Sequence, residues 1–299
     1  MTMLKGLAIT PPVVGRISIG RVVERNGKRL PEKDDQFTLT SQVQNREGWI
    51  LHPLDEALRK DAGGKLRSIP VQLLFDDPAL NLRADYSLFD RSTGRPVCVG
   101  NGETSRRMGK EGVTQESCPG PDACAFAMGE CKAYARLNVR VGDEDELGSF
   151  VLRTTSYNTI RTLAARLQYF HAVSGGKLAC MPLELKLRGK STTMSFRSAI
   201  YYVDLVVRSG LTLAQAIVQA REVDQSRKDA GFDQEALDEA ARRGFANGAF
   251  EDLAEDVPAV VEEFYPDTQE PGPGGPAASN DTVSLHERLQ KKVARAGTA

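Results

Sequence analysis

Four of the five cysteines lie close together in the sequence and are the residues best suited to chemistry. Cys98, Cys118, Cys124 and Cys131 fall within 34 residues, with 19, 5 and 6 residues between successive members. Four thiolates are a favoured ligand set for zinc in a tetrahedral site. The spacing therefore predicts a structural zinc site, because four protein ligands leave no coordination position for water or substrate.

Two alternatives to zinc stay open at this stage. Thiolates also hold iron–sulfur clusters, and free cysteines are common as small core residues. The C-x2-C spacing typical of zinc sites does not occur here. The segment TSRRMGKEGVTQES between Cys98 and Cys118 is polar and reads as a long loop that needs a tether, which a metal would supply. The fifth cysteine, Cys180, lies in the apolar run LACMPL and is predicted to be buried core.

Other catalytic patterns are weak. The three histidines, His52, His171 and His286, are far apart, and neither H-E-x-x-H nor a phosphate-binding G-x-x-x-x-G-K-[ST] motif occurs. The acidic run at 143–146 is typical of a solvated turn. With no catalytic constellation, the sequence favours a non-enzymatic protein.

Basic charge is the second candidate feature. Residues 1–220 carry 30 Lys and Arg against 23 Asp and Glu, whereas residues 221–299 carry 9 against 17. A basic body is compatible with a nucleic-acid or protein partner, although a merely solvated charged surface has the same composition. The candidate partner-binding or nucleic-acid-binding residues are Arg106, Arg107, Lys110, Arg153, Arg161 and Arg166.

The rest of the composition predicts a cytoplasmic globular protein. No stretch approaches the roughly 20 apolar residues of a membrane span, and no signal peptide is recognisable. The thiols are then expected to stay reduced.

The elements that must position these residues predict an α+β fold, made mainly of antiparallel strands and hairpins around one central helix. Asn26-Gly27 predicts a hairpin turn, and further hairpins are expected at 84–99 and 135–155. The helix is expected from Ser156, its N-cap, to Val173. Two more strands are expected at 178–189 and 191–209. The helix should bury residues at helical spacing, namely Ile160, Leu163, Leu167 and Phe170.

Composition divides the chain into four parts. Residues 1–210 form the α+β core, with a Cys-rich, zinc-binding-like insertion at 98–131. Residues 211–268 read as an acidic helical extension, 269–281 as a flexible Pro/Gly linker and 282–299 as a short amphipathic tail helix.

The order of motifs over roughly residues 5–210 resembles the recombination-directionality-factor-like family of phages and other integrating elements. The resemblance rests on CPGPDAC, GECKAYARLNVRV, VLRTTSYNTI and KLACMPLELKL. It implies a non-enzymatic DNA-recombination accessory protein that binds a serine integrase and biases recombination toward excision. Direct DNA contact is a further possibility within that role.

Two other functions stay open beside this one. A metal-dependent hydrolase or nuclease would need an open metal site with fewer than four cysteine ligands. A single-stranded-DNA-binding or annealing protein would need exposed aromatic residues beside basic ones. The candidates for such stacking are Tyr134, Tyr157, Tyr201 and Tyr202.

Overall fold

The computed structural model of the chain describes residues 12–25, 28–45, 48–109, 112–142, 148–191, 199–245 and 264, with the backbone alone for 21–34 and 48. These residues form twelve β-strands and five α-helices, so the mixed α+β class, dominated by strands, is confirmed. The strands are β1 Val13–Arg25, β2 Lys28–Asn45, β3 Gly48–Leu51, β4 Ser68–Val71, β5 Leu82–Phe89, β6 Pro96–Gly100, β7 Thr104–Gly109, β8 Gly112–Ser117, β9 Lys132–Val139, β10 Ser149–Thr154, β11 Leu183–Ser191 and β12 Ala199–Val207. The helices are α1 Pro53–Asp61, α2 Pro78–Asn81, α3 Tyr157–Ser174, α4 Leu213–Asp229 and α5 Gln234–Phe245.

The described strands form two sheets. The large one has the order β3-β2-β1-β10-β9-β5-β6-β7-β8, and the small one has the order β12-β11-β4. Neighbouring strands are antiparallel, as the hairpin signals predict, except that β1 and β10 pair in parallel, with Ile17 opposite Leu152. A parallel pair needs a long crossover connection, so no local turn signal in the sequence could indicate it.

The predicted hairpins can be compared with this topology. β5 pairs with β6 and β9 with β10, which confirms two of them. β1 and β2 also pair, with Arg25 opposite Lys28, while the predicted turn residues 26 and 27 lie outside the described residues. The segment 104–117, expected to be a loop, instead forms the hairpin β7–β8.

The hydrophobic core begins on one face of the large sheet. Five strands place an apolar side chain in register across it: Leu39, Ile17, Leu152, Leu137 and Leu82, all buried. The small sheet adds buried side chains from β11 and β12 to the same core. One continuous apolar layer thus spans both sheets.

Helix α3 covers this layer and matches its predicted bounds to within one residue. The Thr159 amide donates to Ser156 Oγ at 3.4 Å, which confirms the predicted N-cap. At the other end, Gly175 adopts a left-handed conformation with φ of 68° and ends the helix. The four apolar positions predicted to face the core, Ile160, Leu163, Leu167 and Phe170, are all buried.

The prediction of a strand over 178–189 is wrong for its first residues. Residues Leu178–Cys180 form a 3-10 turn, and β11 begins only at Leu183, after Pro182. The next predicted strand, over 191–209, is described from Ala199 to Val207, and residues 192–198 lie outside the description.

Two helices follow β12 and pack on the body. In α4, Thr212 and Gln215 form a reciprocal capping box, and Ala216 and Ala220 are buried in the main core. In α5, the buried Asp238 carboxylate accepts the backbone amides of Asp76 and Asp77 at 3.1 and 3.0 Å. None of the described helices has the length and apolar character needed to cross a membrane. Except for Phe264, the predictions for residues 246–299 lie outside the described residues, as does the acidic run at 143–146.

Candidate functional site

The structure brings the four clustered cysteines to one cavity. Cys98 lies in the middle of β6, and Cys118 directly follows β8. Cys124 ends the 3-10 turn Pro121–Ala123, and Cys131 directly precedes β9. All four line the same cavity, and each is half-buried. Strand β6 and the loop between β8 and β9, which carries the other three cysteines, therefore meet at the base of the β7–β8 hairpin.

Close backbone approach at Gly100 is what allows Cys118 into the cavity. A Cβ atom at Gly100 would lie 2.8 Å from Cys118 Sγ, which is closer than real Cβ contacts. The Cys118 amide donates to the Glu103 carbonyl at 2.9 Å and fixes the chain directly after β8. The absence of a side chain at position 100 therefore sets where this thiol lies.

The loop from Cys118 to Cys131 closes over the cavity. Phe126 and Arg107 both line it, and the Arg107 guanidinium lies 3.9 Å from the centre of the Phe126 ring, in cation–π contact. Beneath them Ala127 is buried, and its carbonyl accepts the Glu130 amide at 2.8 Å. The loop is thus packed against the strands, in part through the Arg107 side chain of β7.

The surroundings of Cys131 favour the protonated form of its thiol. Burial raises the pKa of Cys131 to about 11, and the three neighbouring cysteines, Cys98, Cys124 and Cys118, raise it further in the same direction. As the side chains stand, no group of three or more His, Cys, Asp or Glu residues in the described part of the chain is arranged to hold a metal ion. The cysteines share a cavity without forming a preassembled ligand set.

Cys180 is separate from this cluster. It is half-buried against the main core, and Arg227 Nη1 donates to its sulfur at 3.5 Å. Burial raises the pKa of this thiol, although the nearby Arg227 charge opposes the shift. It lies in the apolar surroundings that the sequence predicts, as a partly rather than fully buried residue.

The predicted basic residues do not form a single patch. Arg106 and Arg107 are consecutive in β7, so they point to opposite faces of the sheet. Arg161 and Arg166 are exposed on α3, and Arg166 Nε donates to Asp204 at 2.9 Å. Lys110 lies outside the described residues.

Arg153 is buried in β10, and it belongs to a feature that sequence reasoning missed. Arg83, Arg136 and Arg153 lie directly opposite one another across β5, β9 and β10, on the face away from the leucine core. Burial lowers the pKa of Arg136 to about 10, and the Arg83 and Arg153 charges add to that effect. Each of these strands contains one arginine, so only the register of the three strands reveals the row.

Phe264 packs at the end of the same face. Its ring contacts those of Phe89 and Tyr134 at centroid distances of 4.8 and 6.1 Å, and it is fully buried. The Lys132 ammonium donates to its carbonyl at 3.0 Å. Phe264, which is distant in sequence, thus packs on the sheet beside the arginine row.

The tyrosines considered for base stacking are dispersed. Tyr134 is buried beneath Phe264, and Tyr157 is exposed at the start of α3. Tyr201 and Tyr202 are half-buried and, as consecutive residues in β12, point to opposite faces. They offer no common platform for successive bases.

The fold and the site define a strand-rich α+β protein whose distinctive feature is a cavity lined by four cysteines. Residues 14–208 match the family model Gp3-like, described as recombination directionality factor-like. The chain belongs to this family, which confirms the resemblance found in the sequence. The matched region runs from β1 through β12 and includes all four cysteines of the cavity. Comparison with curated proteins and with solved structures gave no match.

Proposed function

We propose that this protein is a non-enzymatic accessory factor of a phage or other integrating element, which binds a serine integrase and biases recombination toward excision. The observation that carries the proposal is the family match over residues 14–208. A directionality factor must bind one conformational state of its partner better than the other, since only differential affinity shifts an equilibrium. The protein therefore needs an exposed surface suited to a protein partner.

We place that surface on the β7–β8 hairpin. Met108 and Val113 are directly opposite each other and are 47% and 43% exposed. Arg106 precedes Met108 by two residues, so it lies on the same face of the hairpin. Methionine and arginine are enriched at protein interfaces. Burial of an exposed apolar pair by a partner stabilises the complex.

The loop after the hairpin adds a second apolar contact. Met128 is 89% exposed and has φ of 46°, the one non-glycine residue with positive φ among those the structure describes. A left-handed conformation costs a non-glycine residue about 1–2 kcal/mol. Such strain is concentrated at functional sites. The Met128 loop closes over the cavity on the Arg107 face of the sheet, opposite the face of Arg106 and Met108, so we propose Met128 as a separate contact with the integrase.

Contact with DNA would be an additional property of the same complex. Arg161 and Arg166 are exposed on α3, and arginine binds phosphate independently of sequence. Arg153 is left out of this proposal because it is buried. Measuring how DNA affinity falls with salt tests the contact, since each phosphate neutralised adds to the slope.

The test is recombination between attL and attR by the serine integrase of the same element, with and without this protein. We expect excision only when the protein is present, and inhibition of attP × attB integration. Unchanged product yields in both reactions would contradict the proposed function.

Two variants test the location of the integrase-binding surface separately from the proposed function. The double variant Met108→Ala/Val113→Ala should weaken integrase binding by roughly 10-fold or more, because the few residues that dominate an interface cost about 2 kcal/mol or more when truncated. The control Val218→Ala removes an equally exposed apolar side chain from α4 and should bind normally. If both bind alike while excision still depends on the protein, the surface is misplaced and the function stands.

A further inference from the structure

We propose that the cavity lined by Cys98, Cys118, Cys124 and Cys131 binds one zinc ion as a closed site of four thiolates. The site is structural, and its formation does not require the integrase. The fold brings Cys98 of β6 together with three cysteines of the loop between β8 and β9, and all four line the same cavity.

The four thiolate donors and the size of the cavity favour zinc as the bound ion. Four thiolates suit zinc or an iron–sulfur cluster. The cavity measures about 10 Å³, which is room for about one water-sized body. A single metal ion matches this space better than a cluster of several iron and sulfide ions, and zinc is the usual ion in a closed site of four thiolates. With all four positions taken by protein, the ion has no site for substrate and takes no part in hydrolysis.

A buried arginine N–H at the cavity could donate a hydrogen bond to a negatively charged zinc–thiolate site. A zinc ion with four thiolates carries a net charge of −2, and each thiol that ligates gives its proton to solvent. Arg107 lines the cavity, and its Nε is buried with no hydrogen-bond partner within the described residues. Arg107 lies directly opposite Cys98 across β6 and β7. A thiolate at the cavity would accept from this N–H and offset part of the arginine charge.

Small side-chain movements would complete the ligand geometry. Zinc–sulfur bonds of about 2.3 Å place tetrahedral sulfurs about 3.8 Å apart. Rotating a cysteine about its first side-chain torsion moves the sulfur by about 3 Å, without any change in the backbone. Gly100 leaves the room that Cys118 needs, since a Cβ there would lie 2.8 Å from its sulfur. The backbone therefore provides the frame, and the ion would draw the thiols inward.

The site would fix a part of the fold that has few other means of support. Of the described residues in β7 and β8, only Ser105 is buried, and all six residues of β8 are exposed. Apolar burial thus contributes little to ordering this hairpin. Metal ligation would contribute directly, because the binding free energy of a structural ion becomes folding free energy.

The first test is metal content. The full chain, purified without chelator, should contain one zinc and less than about a tenth of an iron per molecule by mass spectrometry. The variants Cys98→Ser, Cys118→Ser, Cys124→Ser and Cys131→Ser should each lose most of the zinc, while Cys180→Ser retains it. Iron in place of zinc, or a protein that neither contains zinc nor takes up one equivalent of added ZnCl2, would overturn the proposal.

A second test needs no variant and therefore survives if the serine variants fail to fold. Cobalt(II) in the metal-free protein should give the near-ultraviolet thiolate charge-transfer bands and the strong visible bands of a tetrahedral site, and zinc should abolish them. A weak octahedral spectrum refutes the thiolate site. Chelation should also increase proteolysis between residues 98 and 131 at least 10-fold, and unchanged cleavage there refutes the structural role.

Discussion

Replacing Gly100 by alanine tests whether the close approach of β6 to Cys118 is needed. The new Cβ would lie 2.8 Å from Cys118 Sγ, 2.8 Å from Ser105 Cβ and 2.9 Å from the Thr104 carbonyl oxygen. Gly100 is not among the glycines with positive φ, so its backbone suits alanine and the cost is steric alone. Two of the three contacts are to atoms fixed by β7, which cannot rotate away. The clash must therefore be relieved by moving strands or by displacing the thiol.

The expected magnitude follows from two opposing effects. Overpacking of this kind costs about 1–3 kcal/mol. Alanine also lowers the conformational entropy of the unfolded chain relative to glycine, which stabilises the folded protein by about 0.4–1 kcal/mol. The net loss in the free energy of unfolding then lies between about 0 and 2.6 kcal/mol, with a central value of about 1.3 kcal/mol. With a urea dependence of about 2–3 kcal/mol per molar, the unfolding midpoint should fall by about half a molar.

The assay is urea unfolding of the metal-loaded protein, followed by circular dichroism, together with the rate at which a chelator removes zinc. Gly189→Ala is the matched control, because this glycine also lies in a strand but would meet only the Tyr201 ring edge, at 3.3 Å. The control should change stability by less than about 1 kcal/mol. If Gly100→Ala matches the control in both measurements, the tight approach at Gly100 has no part in forming the cavity.

Three further predictions concern the body of the fold. Asp204→Asn should lower the free energy of unfolding by about 1–3 kcal/mol in a urea titration, because the buried carboxylate accepts from Arg166 and Arg188 and both cations remain half in solvent; no change would mean these pairs contribute nothing. Phe264→Ala should cost about 3–5 kcal/mol, the usual loss for a fully buried phenylalanine, and a midpoint equal to that of wild type would show that Phe264 does not pack on the sheet. Hydrogen bonds from the neighbouring Ser and Thr lower the pKa of Asp90 to about 2, so this turn's stabilisation is present above the ordinary value of 3.8 and is lost as pH falls through about 2. An NMR titration that gives Asp90 an ordinary pKa would contradict these contacts.

Local signals in the sequence were sufficient for the elements that depend on near neighbours. Helix α3 was predicted because its apolar residues repeat at helical spacing between an N-cap serine and two glycines. The β5–β6 hairpin was predicted because a turn separates two short strand-like runs. The grouping of four cysteines was also predictable, since they fall within one short segment.

Features that depend on distant register could not be predicted in this way. The parallel pairing of β1 with β10 joins Ile17 to Leu152 with no turn between them. The row formed by Arg83, Arg136 and Arg153 appears only once three strands are aligned. β8 was missed for a different reason: all of its side chains are exposed, so it lacks the alternation that marks a half-buried strand.

The exposure of β8 also links the two proposals. β8 is the outer strand of the large sheet, and among the described strands, this edge strand without buried side chains is paired with β7 alone. Cys118 directly follows this strand, and Cys98 lies two strands away, so a metal between them would fix the hairpin at its base. Met108 and Val113 lie at the opposite end, next to the hairpin turn. Removing the metal should therefore abolish integrase binding while the α3 core stays folded, as seen by unchanged protection of its amides from hydrogen exchange. Binding that persists in the metal-free protein would mean that the hairpin keeps its conformation without the ion.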